Sequence, residues 1–438
     1  MNTADFSQAR QGLLQAMLPN SIAIVPAASL VTRSRDTHFP FRQDSYFQYL
    51  TGFPEPDAYL VLSNHTEYAN GLSVLFCLDK DPEQEIWHGR RYGPKQAKKH
   101  FKLDMAFPLE ELDGLLFDLI DCHQHLYFAQ GHNPSTDELV FEILEGLRCA
   151  HKQGRRAPSC IIDIRVILDE MRLIKSDAEI QIIRKAADIA CKAHIRAMTF
   201  SQAGKNEYHL EAEIHHEFAM HGAKHPAYGT IVGSGGNACI LHYTENNQAL
   251  RQGDLVLIDA GCELQGYAAD ITRTFPVSGT FSKEQRQLYE IVLEAQLQAF
   301  TLIKPNNTIQ QANDLVKEVI TQGLIDLGIL KGELAENIEQ QTYREYYMHG
   351  LSHWLGLDVH DVGHHKVDGQ DRALKPGMVL TVEPGIYIAP DAKVDRKWQG
   401  IGIRIEDNLL ITENGYENLT QAAPKTIAEI EDIMANGK

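Results

Sequence analysis

Asp254-Leu-Val-Leu-Ile-Asp259-Ala-Gly-Cys-Glu-Leu-Gln-Gly-Tyr-Ala-Ala-Asp270-Ile-Thr-Arg-Thr-Phe275 holds two strand-like segments, each carrying an aspartate, with a turn between them. Leu255 to Ile258 is an unbroken apolar run, which reads as a buried strand ending on Asp259. Asp270 to Phe275 alternates as a strand does, and Glu263-Leu-Gln-Gly266 is able to turn. With Leu264 and Gln265 as a two-residue hairpin loop, Asp259 and Asp270 fall directly opposite each other on one face. Like charges so placed repel and destabilise a sheet, so something cationic must offset them. Either aspartate alone would suit a solvated strand end; the shared register is what argues for a site.

A second pair repeats the pattern. Val379-Leu-Thr-Val-Glu383-Pro-Gly ends another apolar strand on a carboxylate, just before a turn. Ile401-Gly-Ile-Arg-Ile-Glu406 alternates, with its isoleucines on one face and Gly402, Arg404 and Glu406 on the other. Such a strand is also what a half-exposed sheet edge looks like. Between the two pairs lies Tyr347-Met-His349-Gly-Leu-Ser-His353-Trp-Leu-Gly-Leu-Asp-Val-His360-Asp-Val-Gly363, and His242 sits earlier, between Leu241 and Tyr243. One histidine there would read as a hydrogen-bonded core residue; three within twelve positions, beside Gly350 and Gly356, read as an assembled site.

Four carboxylates and one imidazole make a hard, oxygen-rich donor set, suited to Mn²⁺ or a similar ion rather than to a thiolate zinc site. Four carboxylates are too many for one small ion with open positions, but they suit two divalent ions. Such a pair supports hydrolysis by holding a bridging hydroxide and polarising a carbonyl. Its charge is near balance, so a peptide enters without a large electrostatic penalty.

Gly233-Ser-Gly235-Gly-Asn-Ala238 matches a dinucleotide-binding fingerprint, which requires a helix to follow at once. Cys239-Ile-Leu-His-Tyr-Thr244 follows instead and is β-like, so a glycine-rich loop between strands is the expected structure.

Outward from the site, Ser176-Asp-Ala-Glu179 has the form of a capping box, and helical spacing runs from there to about Met198. That fresh start places a domain boundary near residue 172, giving domains 1–172 and 173–438. The first domain alternates strand-like runs (Ser21–Pro26, Ala58–Ser63, Leu72–Leu78) with helix-like ones (Glu110–Cys122, Asp137–Leu147), an α/β pattern. The second is expected to be strand-rich, with further helices at Lys283–Thr301 and Ile309–Leu327 and a short polar one in the tail from Lys425.

The chain has 438 residues and a formal net charge of −18, which argues against nucleic-acid binding and weakly against anionic membranes. Its 43% apolar content suffices for real cores. Cysteines 77, 122, 149, 160, 191, 239 and 262 are scattered, as reduced thiols are. With no basic leader and no run of ~18 apolar residues, a cytoplasmic protein is expected.

At these residues the sequence resembles the pita-bread metallopeptidases, most closely the aminopeptidase P (Xaa-Pro aminopeptidase) family. Matching stretches are Asp259-Ala-Gly-Cys, Asp270-Ile-Thr-Arg-Thr-Phe-Pro, Gly350-Leu-Ser-His-Trp-Leu-Gly-Leu-Asp-Val-His-Asp, Thr381-Val-Glu-Pro-Gly-Ile-Tyr and Gly402-Ile-Arg-Ile-Glu-Asp. In the first domain, Phe41–Asp57 and Glu85–Arg91 match as well. The resemblance implies an α/β N-terminal domain followed by an α+β pita-bread catalytic domain. It implies two divalent metal ions on Asp259, Asp270, His353, Glu383 and Glu406, with Glu383 also the general base. His349 and His360 would stabilise the tetrahedral intermediate and pass a proton to the departing proline nitrogen. His242, His349 and Arg404 would contact the peptide, though Arg404 fits equally well as an ion-pair partner of a metal carboxylate. The family comparison also implies a homo-oligomer, a tetramer or dimer, with Trp87 near a neighbouring subunit's site. The implied reaction releases the residue ahead of a proline in second position. Prolidase, which takes only the dipeptide, and an inactive scaffold on the same fold are the alternatives; the scaffold would be expected to have lost ligands, and none is missing.

Overall fold

The computed structural model describes residues 3–437. The chain divides into two compact units, Met1–Arg172 and Leu173–Lys438.

The first unit is built on a six-stranded sheet. Its spatial order is Met105–Pro108, Leu72–Cys77, Tyr59–Ser63, Ser21–Pro26, His125–Phe128, Cys160–Asp163. The three apolar runs read from sequence are its centre, paired antiparallel, and the outer strands join parallel. Ile22, Ile24, Val61, Val74 and Phe76 pack against Leu116 and Ile120 of the helix Leu112–Ile120 and Val140 and Leu144 of the helix Pro134–Cys149. Central strands buried on both faces explain why those runs are continuously apolar rather than alternating.

The second unit opens on the helix Asp177–Phe200, with Glu179 accepting the Ser176 backbone N–H at 2.8 Å to complete the capping box. Helices at Lys283–Leu302 and Ile309–Asp326 are capped the same way, by Ser282 and Thr308. The helix Glu207–Met220 was not expected. Leu210, Ile214 and Phe218 give it a buried stripe, but three histidines, glutamates and exposed positions dilute the apolar signal. These helices cover short antiparallel sheets: Ile231–Ser234 with Leu255–Asp259 and Thr272–Pro276; Val379–Val382 with Asp407–Thr412 and Gly415–Asn418; and Gly385–Ile388 with Ile401–Arg404.

Two local expectations are corrected. Gly233 lies inside the strand Ile231–Ser234, a 3₁₀ turn follows at Gly235–Cys239, and no strand forms over 240–244. The Asp259–Asp270 hairpin also has a different register. Leu264 pairs with Tyr267, so the loop is Gln265-Gly266, with φ of 52° and 90°. That is the left-handed pair a type I′ turn demands, which a glycine takes freely and a leucine resists. Asp259 therefore faces Thr272. A slip of two residues keeps every side chain on its face, so Asp270 becomes a diagonal neighbour of Asp259 instead of its opposite. Asp270 itself lies just before its strand. Gly261 allows the crossing: a Cβ there would stand 1.6 Å from the Ala269 carbonyl oxygen.

A buried ion pair anchors the segment that carries His360. Lys175 Nζ lies 2.9 Å from Asp361 Oδ2, and both side chains are 1% exposed. Lys175→Met leaves Asp361 a buried anion without its cation, and is expected to cost about 3 kcal/mol of unfolding free energy in urea. A loss under about 1 kcal/mol would show that other donors carry the aspartate.

Candidate metal centre

Each ligand candidate leaves its strand where regular pairing ends. Asp259 closes the strand Leu255–Asp259; Glu383 follows Val379–Val382; Glu406 sits between Ile401–Arg404 and Asp407–Thr412. His353 is held alongside by two hydrogen bonds with Thr381: the Thr381 N–H donates to the His353 carbonyl, and the His353 N–H to the Thr381 side-chain Oγ1. Asp270 is fixed by Asn408, whose amide accepts from the Asp270 N–H at 3.0 Å and donates to its carbonyl.

All five converge on one cavity of about 260 Å³, which Leu241, His242, His349, Gly350, Ser352, His360 and Arg404 complete. Ligand atoms of Asp270, His353 and Glu406 lie within 4.8 Å of one another. His353 Nε2 is 3.4 Å from both Asp270 Oδ2 and Glu383 Oε1. Its Nδ1 lies 2.9 Å from the Trp354 carbonyl, which makes Nδ1 the protonated nitrogen when the ring is neutral and turns Nε2 towards the carboxylates.

The charges are unbalanced. Arg404 Nη2 pairs with Asp259 Oδ2 at 2.6 Å, and its Nε and Nη1 donate to Thr272 Oγ1 and the Tyr387 hydroxyl. That is the ion-pair role weighed for Arg404, and it commits the guanidinium within the cavity wall. Burial works against the charge on Asp259, yet Arg404 and the hydrogen bonds from Tyr228 and Arg404 hold it below the ordinary carboxylate value. The other three acids go the opposite way. Burial and then the Asp259 charge push Asp270 up; burial takes Glu383 to about 7 despite His353; burial and then Asp270, Glu383 and Asp259 lift Glu406 well above its ordinary value. Burial disfavours the His353 cation, but the carboxylates around it carry it to about 9. Four acids gathered around one histidine and one arginine, the arginine committed to one of them, form a site that cations would complete. The oxygen-rich donor set fits hard divalent ions.

Tyr228 was not anticipated from sequence. Its hydroxyl meets both Asp259 Oδ1, at 2.6 Å, and Asp270 Oδ1. One phenolic proton serves only one of these contacts, so the other needs a proton on a carboxyl, in keeping with the raised Asp270. No periodicity or motif marks a tyrosine in the loop between His225–Pro226 and Ile231–Ser234 as special. Tyr387 was missed too. Arg404 donates to its hydroxyl, it donates in turn to His349 Nε2 (2.8 Å), and His349 Nδ1 donates to the Gly350 carbonyl (2.8 Å). Burial and then Arg404 lower His349 to about 4, so the ring is neutral and both nitrogens are engaged. His360 stacks edge-on against His353, with ring centroids 4.4 Å apart. Burial and then the His353 charge lower its pKa. Trp87 is on the helix Pro82–His88 of the first unit and is 81% exposed.

Residues 181–413 match the model for metallopeptidase family M24, and residues 6–127 match that for the aminopeptidase P N-terminal domain. The chain is 51% identical to the Xaa-Pro aminopeptidase of Escherichia coli strain K12 and 48% identical to that of Haemophilus influenzae, in each case over 98% of this chain and 97% of the relative. Among solved structures it matches Pseudomonas aeruginosa aminopeptidase PepP with a TM-score of 0.98 and 48% identity, covering 100% of this chain and 99% of that one. Zinc-substituted E. coli aminopeptidase P in complex with product matches with the same score and coverage at 49% identity.

Proposed function

We infer from one premise, that this chain belongs to metallopeptidase family M24 and to the Xaa-Pro aminopeptidases within it, how its residues perform that reaction. The chain is a metal-dependent hydrolase and its domain order is that of aminopeptidase P; near-complete coverage of Xaa-Pro aminopeptidases favours this activity over prolidase. The reaction is release of the first residue from Xaa-Pro-Yaa peptides. The observation that carries the residue assignment is the convergence of Asp259, Asp270, His353, Glu383 and Glu406 on one cavity.

These five would hold two divalent cations, with Mn²⁺ the proposed pair on grounds of donor hardness. When bound, the cations supply Lewis acidity to the scissile carbonyl and to the attacking water. Glu383 takes the proton from that water. Thr381 Oγ1, donating to Oε1 at 3.1 Å, fixes its orientation. His349, with both ring nitrogens engaged by Gly350 and Tyr387 in the free site, lines the cavity at the end of the chain from Arg404 and contacts the peptide there. Proton delivery to the proline nitrogen, a poor leaving group until protonated, then falls to His360. His242 lines the cavity and contacts the peptide near proline.

The reading extends to a homo-oligomer, to which the exposed Trp87 contributes, and to a cytoplasmic location, supported by seven free cysteines. Among the described residues no helix is long and apolar enough to cross a membrane.

The direct test compares metal-stripped and Mn²⁺-restored protein on Xaa-Pro-Yaa tripeptides and Xaa-Pro dipeptides. Release of Xaa from the tripeptide only after metal is restored is the expected result. Turnover confined to the dipeptide would make the enzyme a prolidase, and failure to turn over or retain metal would make it a scaffold.

A further inference from the structure

Glu207 is a fully buried carboxylate outside the metal centre, at the first turn of the helix Glu207–Met220. A buried anion is costly unless hydrogen bonds replace its lost hydration. Glu207 accepts five. Oε1 takes the Ser234 N–H and Oγ–H, both at 2.7 Å, and Asn237 Nδ2 at 3.1 Å; Oε2 takes the Tyr243 hydroxyl and the Gln248 N–H, both at 2.9 Å.

The donors are arranged in two groups. Ser234 and Asn237 lie before position 242 in the chain, and Tyr243 and Gln248 after it. The stretch between them has no strand to hold it, only the 3₁₀ turn Gly235–Cys239 and irregular backbone. One carboxylate thus ties together both ends of the segment that brings Leu241 and the exposed His242 to the metal cavity. Asn246 adds a second tie from the same helix, donating to Glu211 at 3.0 Å. Nothing in this network touches the ligands, and an apolar side chain would fill the same space without requiring five donors to be aligned. What the charge adds is a fixed position for the segment.

We propose that Glu207 is a positioning residue for peptide binding: by clamping both ends of the 234–248 segment it sets His242 against the substrate. This rests on the reading of His242 as a peptide contact.

Glu207→Gln keeps the shape and removes the fit. Either orientation of the new amide turns its NH₂ towards a donor that cannot reverse, the Ser234 N–H or the Gln248 N–H. KM for Xaa-Pro-Yaa is expected to rise roughly fivefold to tenfold with kcat within about twofold, since the loss falls on binding rather than on the reacting bond. Amide hydrogen exchange should quicken over residues 235–248, and metal content should stay unchanged. In the double variant with His242→Ala, KM should be no worse than in His242→Ala alone, because the two act as one unit. Tyr243→Phe removes a single clamp bond and should show a smaller rise of the same kind, which keeps the inference testable if Glu207→Gln folds poorly. A melting-temperature loss with unchanged KM, or a KM effect that adds to that of His242→Ala, overturns the inference alone. A His242→Ala enzyme with unaltered KM removes the parent reading, and this one with it.

Discussion

Glu406→Gln is expected to lower kcat/KM on an Xaa-Pro-Yaa peptide by roughly a thousandfold or more, with loss of bound metal. In the same protein, metal-free stability should hold steady or rise. The two halves have one cause. Glu406 is 2% exposed and surrounded by the charges of Asp270, Glu383 and Asp259, with Thr272 Oγ1 donating to it at 2.7 Å. Without cations its ionised form is a burden on the fold; with them it would serve as a ligand. Glutamine fills the same volume, still accepts from Thr272, and removes the negative charge. Asp259→Asn should lose activity equally but behave oppositely in stability, because Arg404 is 4% exposed and Asp259 is its ion-pair partner. An arginine stripped of its anion in that place costs about 3 kcal/mol. Metal analysis, kinetics and thermal melts on both variants check this together. Near-normal turnover by either one would refute the ligand assignment.

That contrast shows where the sequence was legible and where it was not. Asp259 and Glu383 stand out because an apolar strand that ends on a carboxylate is a local anomaly, visible within six residues. The sheet of the first unit was equally visible, since Ser21–Pro26, Tyr59–Ser63 and Leu72–Cys77 are buried on both faces and so continuously apolar. Helix starts were marked by their caps at Ser176, Ser282 and Thr308. The site's wiring is a different matter. Asn408 clamping Asp270, Tyr228 joining two aspartates and Tyr387 linking Arg404 to His349 each connect residues that no spacing rule relates. Only the folded chain brings them together. The hairpin register failed for a smaller reason: the turn was set on Leu264-Gln265, although Gly266 is the residue that takes a positive φ without cost.

In the metal-free protein, stability should fall as pH rises from 6.5 to 8.5, and added Mn²⁺ should remove most of that dependence. His353 has its pKa raised from 6.5 to about 9, so its contribution is full below 6.5 and is lost as pH climbs through 9. Glu383 is raised from 4.5 to about 7; most of its contribution is gone by neutrality and the rest goes within this window. Both therefore favour the acid side. His349, lowered to about 4, acts the other way, but only below its ordinary value of 6.5. The same holds for Asp259, whose lowered pKa stabilises at any pH above the acid range. Together His353 and Glu383 should cost the metal-free fold on the order of 3 kcal/mol across the interval. Bound cations replace these protons, leaving Nε2 of His353 and the carboxylates nothing to titrate, so the melting temperature of the metal-loaded protein should be nearly level. Calorimetric titration with Mn²⁺ in buffers of different ionisation enthalpy gives the complementary count: fewer protons should be released at pH 8.5 than at 6.5. A metal-free protein whose stability is flat or increasing over that range would mean that the acids are solvated. The repulsion that makes this cluster a cation site would then be absent.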